Sequence, residues 1–359
     1  MSRYTVPFPD AGDASLVGGK SASLGELTRA GFPVPPGFVV TTAAFHDVMT
    51  ALDPDCGARA RLARLDPGNL HAVDAAAAIL RRRLEGAPIP EAVGHAVVSA
   101  YRELASGPSA EPPSADGPGA GLVTAPVAVR SSATAEDGAD ASFAGLQDTY
   151  LWVHGEQPVL AYLRRCWASL YNTASVVYRL RRGMSEDRLA MGVVVQQMVD
   201  PRCAGVMFTR SPLTGDRSVV AIEAAWGLGS ALVSGEVTPD RYVVGKVTGE
   251  IAKRSVATKE RCHRLDPVTG EVRTEEVPAG LRDARCLTDR EIAALVAVAR
   301  RVEDHFGTPQ DIEWAIRGDA VFLLQSRPET VWSQREGTPV VPGRARAFDH
   351  VLDVLGGRR

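Results

Sequence analysis

Apolar positions change their period along this chain, and each change marks an element. Leu24 and Leu27 lie three apart in a short helix over 22–30 that Gly31 ends. The run 32–40, with Pro33, Pro35 and Pro36 before Phe38, Val39 and Val40, reads as a proline-stiffened strand; Thr41 or Thr42 then caps a helix from about Ala43. Ile79, Leu80 and Leu84, then Val93, Val97, Val98 and Leu104, predict amphipathic helices near 73–84 and 91–105. The stretch 106–121, dense in Pro, Gly and Ser, has no apolar face to bury and predicts a mobile surface loop.

Beyond that stretch, β-branched runs predict strands at 125–132, 191–199, 204–209 and 219–225, with 242–255 folded on Thr248-Gly249. A helical run covers about 157–182. A second, over 288–306, opens at Thr288 with Glu291 three residues on, the spacing of a capping box. The last pattern is a hairpin, 311–317 against 320–327, around Gly318-Asp319. No repeat or heptad is evident. The mixture predicts an α+β fold of two lobes, 1–190 and 191–332, with a C-terminal tail at 333–359.

Composition narrows the function. At 359 residues, 45% hydrophobic and 23% charged, the chain is ordinary globular material. No apolar run reaches membrane-spanning length, and the N-terminal residues lack the order of a signal peptide, so a cytoplasmic protein without a membrane partner is expected. The formal charge of −3 gives no basic field for nucleic acid. Five cysteines, the closest pair 24 residues apart at Cys262 and Cys286, read as reduced thiols. Only four of the 40 basic residues are lysine, and Lys20 is the sole one in the first 245 positions. In so arginine-rich a chain, a lysine is a candidate for a place that needs a compact ammonium.

Four segments hold candidate chemistry. Gly18-Gly19-Lys20-Ser21 is not a Walker A loop, since Ala14 stands where its first glycine belongs. A glycine pair and a lysine opening a helix still suit an anion, although the same residues would serve as a turn with a solvated lysine. The stretch from Arg130 through Thr134 and Ser142 to Gly145 combines a strand-borne arginine with hydroxyls and small residues, the composition of a phosphate-covering loop or of an ordinary polar one. At Gln196, Met198 and Val199 a strand ends in amides and then apolar residues, as a segment against an adenine would; a buried strand with edge glutamines reads the same way. In the hairpin, Glu313 and Gln325 carry hard oxygens suited to Mg²⁺, and Arg327 suits a phosphoryl group. A two-residue turn at Gly318-Asp319 would send Glu313 and Gln325 to opposite faces, so a shared site requires an odd loop or a bulge. Gly227-Leu-Gly229 is no dinucleotide fingerprint, because Leu232 takes the third glycine's place.

Taken together, these segments resemble the N-terminal nucleotide-binding domain of the phosphoenolpyruvate synthase, pyruvate phosphate dikinase and rifampin phosphotransferase family. The resemblance rests on Val17-Gly-Gly-Lys-Ser-Ala-Ser-Leu-Gly-Glu-Leu27, Val129-Arg-Ser-Ser-Ala-Thr-Ala-Glu-Asp137, Ser142-Phe-Ala-Gly145, Ala204-Gly-Val-Met-Phe208 and Asp311-Ile-Glu-Trp314 with Leu324-Gln-Ser-Arg-Pro-Glu329, in family order over about 5–330. It implies a two-lobed ATP-grasp fold closing on ATP and Mg²⁺. By residue, it implies that Lys20 and Arg130 meet the phosphates, while Thr134, Ser142 and Gly145 lie in the loop covering them. Gln196, Met198 and Val199 would line the adenine pocket, Glu313 and Gln325 hold the metal, and Arg327 stabilise the phosphoryl group in flight.

Two departures qualify the resemblance. None of the seven histidines lies in the Thr/Ser-rich setting of the family's phosphorylatable histidine; His350 sits in what reads as a short helix. The expected acceptor is therefore a phosphohistidine swivel-domain protein on another chain, or a small molecule. Ser230 stands where the family leads one to expect glutamate, leaving Glu223 or Glu236 to supply any acidic group. The leading expectation is an ATP-dependent phosphotransferase module. Direct ATP-dependent phosphorylation or activation of a small molecule is an alternative, and so is a non-catalytic nucleotide-binding regulator, against which the joint presence of Lys20, Glu313, Gln325 and Arg327 counts.

Overall fold

A computed structural model describes residues 2–107, 125–134, 137–138, 141–142, 148–186, 189–266, 269–330 and 332. Most of the expected loop at 106–121, the Gly145 position, the Ser142 side chain, the expected tail and His350 lie outside the described residues.

The chain opens with β1 (Thr5–Pro7), a 3-10 turn, α1 (Ala14–Val17), α2 (Gly19–Arg29) and β2 (Gly37–Val40). Four helices follow: α3 (Thr42–Leu52), α4 (Gly57–Leu62), α5 (Leu70–Gly86) and α6 (Glu91–Ala105). Then come β3 (Val127–Ala133), the short pair β4 (Asp137–Gly138) and β5 (Ala141–Ser142), β6 (Thr149–Val153), α7 (Glu156–Ser169), α8 (Thr173–Arg182) and β7 (Met191–Gln197). The single helix expected over 157–182 is two, because Asn172 leaves the helical region (φ −63°, ψ 139°) and becomes the N-cap of α8.

Five of these strands form an antiparallel sheet in the order β1-β2-β7-β3-β6. The sheet is covered on both faces, which explains why β7 is apolar without alternation. Val193 and Val195 face a core built with the helices from α3 to α8, while Val194 faces a smaller cluster with Val17 and Leu24 of α1 and α2. The same alternation in β3 buries Val127 and Val129 in the larger core and turns Arg130 and Ser132 to the opposite side. Residues 191–197, expected to open the second lobe, form an inner strand of the first sheet, paired on both edges. Its apolar run fits an inner strand of either sheet, so periodicity alone could not assign it.

The second sheet is built from β8 (Cys203–Phe208), β9 (Val219–Trp226), β10 (Asp240–Gly245), β11 (Ile251–Ser255), β14 (Gln310–Arg317) and β15 (Ala320–Pro328), in the order β11-β10-β9-β8-β14-β15. Between its parts lie α9 (Ser230–Val233), the hairpin β12 (Arg261–Leu265) and β13 (Val272–Glu276), α10 (Ala279–Arg282) and α11 (Asp289–Phe306). The capping box expected at Thr288 and Glu291 starts α11. Ile292, Leu295, Ala299 and Val302 of that helix pack on Met207, Ile222, Ile312 and Trp314. The other face of β8 and β14, carrying Ala204, Val206, Glu313 and Ala315, lines a cleft against the first sheet. Helix and sheet are thus mixed in an α+β arrangement. The β12–β13 hairpin has no sequence signal because half of its strand residues are charged and half are exposed; Cys262 is the residue it buries.

Candidate functional site

The glycines around Lys20 act through space rather than through a P-loop. Gly18 has φ 82°, and a Cβ on it would lie 2.0 Å from the Ser132 carbonyl oxygen; a Cβ on Gly192 would lie 2.2 Å from that of Val17. Only glycine lets the α1–α2 junction rest directly on β3 and β7. Docked there, the Ser21 amide donates to Ser132 Oγ (3.1 Å), and Lys20 Nζ donates to the Ser131 carbonyl (2.9 Å) while only 7% exposed. Ser23 Oγ reaches the second sheet, donating to the Ser326 carbonyl at 2.7 Å.

Arg130 spans the gap between the sheets. Its Nη1 donates to the Leu324 carbonyl (2.8 Å), and its Nη2 lies 2.7 Å from Glu313 Oε2 and 2.8 Å from Gln325 Oε1. Both oxygens therefore converge on one nitrogen, and the conflict noted for the hairpin is resolved as it had to be. The turn is a two-residue one, Arg317 opposite Ala320 with Gly318 at φ 58°, but the register shifts after Glu313, so that Trp314 faces Leu323 and Glu313 faces Gln325. Leu324 is the extra residue of a bulge.

Burial alone would raise the Glu313 carboxyl, yet Arg130, Lys20 and Arg327 together hold it below the usual carboxylate range. An ionised carboxylate beside an amide oxygen, already drawn to a guanidinium, is a donor pair suited to a hard divalent cation. Among the described residues no group of three or more His, Cys, Asp or Glu side chains is poised around a metal, so further oxygens would have to come from a ligand or water.

Arg327 lies on the same strand as Gln325 and is held by Asp311, its Nε and Nη2 at 2.8 and 2.7 Å from Oδ2. Desolvation outweighs this partner and pushes the Asp311 carboxyl above its ordinary value. Asp311 was missed by sequence reasoning; its signal was the i, i+2 spacing with Glu313, which puts both on one face of β14.

The cleft between the sheets has a volume of about 320 Å³. Gln196, Met198, Val199 and Arg130 line it from one side and Glu313 from the other, so these expected residues are brought together. Lys20, Gln325 and Arg327 are not among its lining residues and connect to it through Arg130 and Glu313. The Gln196 amide donates to the Pro35 carbonyl (3.3 Å) and the Met198 amide to that of Pro126 (2.9 Å), so both groups are engaged within the protein. Thr134 Oγ1 is directed to the Ala190 carbonyl at 3.2 Å.

Comparison with known proteins gives a matching family and named relatives. The model of the pyruvate phosphate dikinase AMP/ATP-binding domain matches residues 14–346. A probable phosphoenolpyruvate synthase of Methanothermobacter thermautotrophicus is 42% identical over 92% of this chain and 46% of its own length. Rifampicin phosphotransferases of a Streptomyces species and of Streptomyces sviceus are 44% and 41% identical, over 91% and 99% of this chain and 36% and 38% of theirs. The chain thus spans less than half the length of these relatives.

Proposed function

This chain belongs to the pyruvate phosphate dikinase AMP/ATP-binding domain family, and from that premise we propose that it is the ATP-binding module of a phosphotransferase of ATP-grasp fold. The observation that carries the reading is the single Arg130 nitrogen bonded to Glu313 and Gln325 across the cleft. It joins a cation suited to phosphate and two oxygens suited to Mg²⁺ at one point. The base would lie against Gln196, Met198 and Val199, whose apolar neighbours Ala128 and Leu151 share the cleft. The triphosphate would run toward Arg130 and Lys20. Glu313 and Gln325 would hold Mg²⁺, which when bound supplies neutralisation of phosphate charge. Arg130 then exchanges its carboxylate partner for phosphate oxygens, Lys20 adds a second positive charge, and Arg327 stands two residues from Gln325 to meet charge on the group transferred. Thr134, Ser142 and Gly145 belong to the segment proposed to cover the phosphates.

In this reading the terminal two phosphates of ATP pass to a histidine, the bond to the α-phosphate breaks, and AMP is left. Two cations, a metal and exclusion of water are a sufficient set, because phosphoryl transfer depends mainly on positioning and charge. The relatives' names, phosphoenolpyruvate synthase and rifampicin phosphotransferase, support this class of chemistry. The acceptor histidine belongs either to a swivel domain in the same longer protein or to a separate chain.

Calorimetry of this 359-residue chain with Mg·ATP tests binding, and nucleotide analysis with and without an added histidine domain tests transfer. Binding is expected, with AMP formed in quantity only when the acceptor is supplied. ADP as product would replace this reading with a direct kinase, and failure to bind ATP would remove it.

A further inference from the structure

The cleft has a third wall, at α9, whose chemistry the reading above leaves unused. Ser230, the first residue of α9, lines the cleft; its Oγ lies 2.9 Å from His263 Nδ1, and His263 Nε2 lies 3.1 Å from Glu236 Oε2. The histidine side chain is only 13% exposed, whereas that of Glu236 is half exposed. The seat of His263 is fixed by backbone. Leu228 donates to its carbonyl (3.0 Å), and a Cβ on Gly227, at φ 70°, would come within 2.4 Å of the same oxygen. Glu236 is kept ionised by the Ser234 hydroxyl and, next, by His263.

These contacts set the direction of every proton in the chain when the imidazole is neutral. A carboxylate only accepts, so His263 carries its hydrogen on Nε2 and leaves Nδ1 bare. The bare nitrogen only accepts, so Ser230 gives its own hydrogen to Nδ1. Ser230 Oγ is then left with acceptor capacity alone, and it lies on a wall otherwise formed by Leu228, Gly229, Val233 and Ser234, whose own hydroxyl is turned to Glu236 Oε1 (2.9 Å).

We propose that Ser230, oriented by His263 and Glu236, accepts a hydrogen bond from a ribose hydroxyl of the bound nucleotide and makes this site selective for ribonucleotides. The inference rests on the ATP reading given above. With the base at 196–199 and the phosphates at Arg130, the sugar lies between them, and its hydroxyls are the donors left to meet this wall. Ser230 is a specificity-determining residue here, and His263 and Glu236 are positioning residues.

The test compares the affinities of ATP, 2′-deoxy-ATP and 3′-deoxy-ATP. The wild-type chain is expected to bind ATP about three- to tenfold more tightly than at least one deoxy analogue, the size of one net hydrogen bond. Ser230→Ala is expected to abolish that preference with little loss in affinity for the deoxy analogue, Ser230→Thr to keep it, and Glu236→Ala to narrow it. A loss of preference in Ser230→Ala cannot come from misfolding while the deoxy analogue still binds. Equal binding of all three nucleotides by the wild type, or an unchanged preference in Ser230→Ala, would overturn the inference and leave the ATP reading intact. If the wild type binds none of them, both fall.

Discussion

Two lysines in this arginine-rich chain sit in opposite surroundings. Lys259 and Asp240 form an ion pair whose side chains are both fully buried, with Nζ 2.5 Å from Oδ1. The protein satisfies that pair by itself. Oδ1 also accepts from the Ala257 amide (3.0 Å), Oδ2 from the Cys286 amide (2.8 Å), and Nζ donates again to the Ala257 carbonyl (2.6 Å). Lys20 is nearly as buried, but it belongs to a charge cluster that opens on the cleft, where the Glu313 side chain is 34% exposed. A sealed pair fixes β10 against the segments around it; an open cluster can exchange partners when a ligand arrives. Burial of a lysine therefore says little about its task. What distinguishes the two is whether the charges around it are closed off from a space large enough for a ligand.

The largest expected effect falls on the sealed pair. Lys259→Met leaves Asp240 buried without its cation, a loss of about 3–5 kcal/mol for a pair of this kind. Urea denaturation should show a midpoint well below wild type. A change under about 1 kcal/mol would mean that the Ala257 and Cys286 amides, with the Tyr242 hydroxyl 3.4 Å from Oδ2, suffice for Asp240, and the contrast with Lys20 would lose its basis.

A smaller effect, of a different kind, is expected at Lys20. In Lys20→Arg a planar fork must enter a space in which one ammonium points at the Ser131 carbonyl, so nucleotide affinity should fall by about 1.5–3 kcal/mol, tenfold or more. Titration of Mg·ATP measures this, and the urea midpoint should move much less than in Lys259→Met. Equal loss of stability in both variants would make Lys20 a second strut.

The contrast also shows what the sequence could reveal. Scarcity of lysine drew attention to Lys20 and would have drawn equal attention to Lys259, since composition reports the need for a compact ammonium and not whether it faces a ligand. The helices at 70–86 and 91–105 and the hairpin at 310–328 were legible because a face of each is apolar at the right period. The assignment of 191–197 to a sheet was not, because an inner strand covered on both faces carries no direction. Glu313 and Gln325 could be named together only with an odd loop or a bulge required between them; Leu324 itself has no feature that marks it as the extra residue. The Ser230–His263–Glu236 chain was illegible, since it joins a four-residue helix to a hairpin whose polar sequence shows no period.

The smallest expected effect separates two carboxylates on one face of the same strand. Glu313 is held below its ordinary value of 4.5 and Asp311 is raised above its ordinary 3.8. A lowered folded-state value means that the ionised form is stabilised by folding, so the Glu313 contribution is present above pH 4.5 and is lost as the pH falls through the folded value. For Asp311 the sign reverses. Folding favours its protonated form, so the penalty is absent below pH 3.8 and grows as the pH rises through the folded value. Partial exposure of Glu313 screens its interaction, which limits the effect to about 0.2–1 kcal/mol. In Glu313→Gln the stability difference from wild type should therefore shrink on acidification below pH 4.5. In Asp311→Asn the wild type should gain relative to the variant over the acid range. Denaturation midpoints measured at a series of pH values would show the two slopes. The same slope for both variants would mean that the guanidinium of Arg327 governs Asp311 as Arg130 governs Glu313, and that desolvation on this face of β14 is too weak to set the two carboxylates apart.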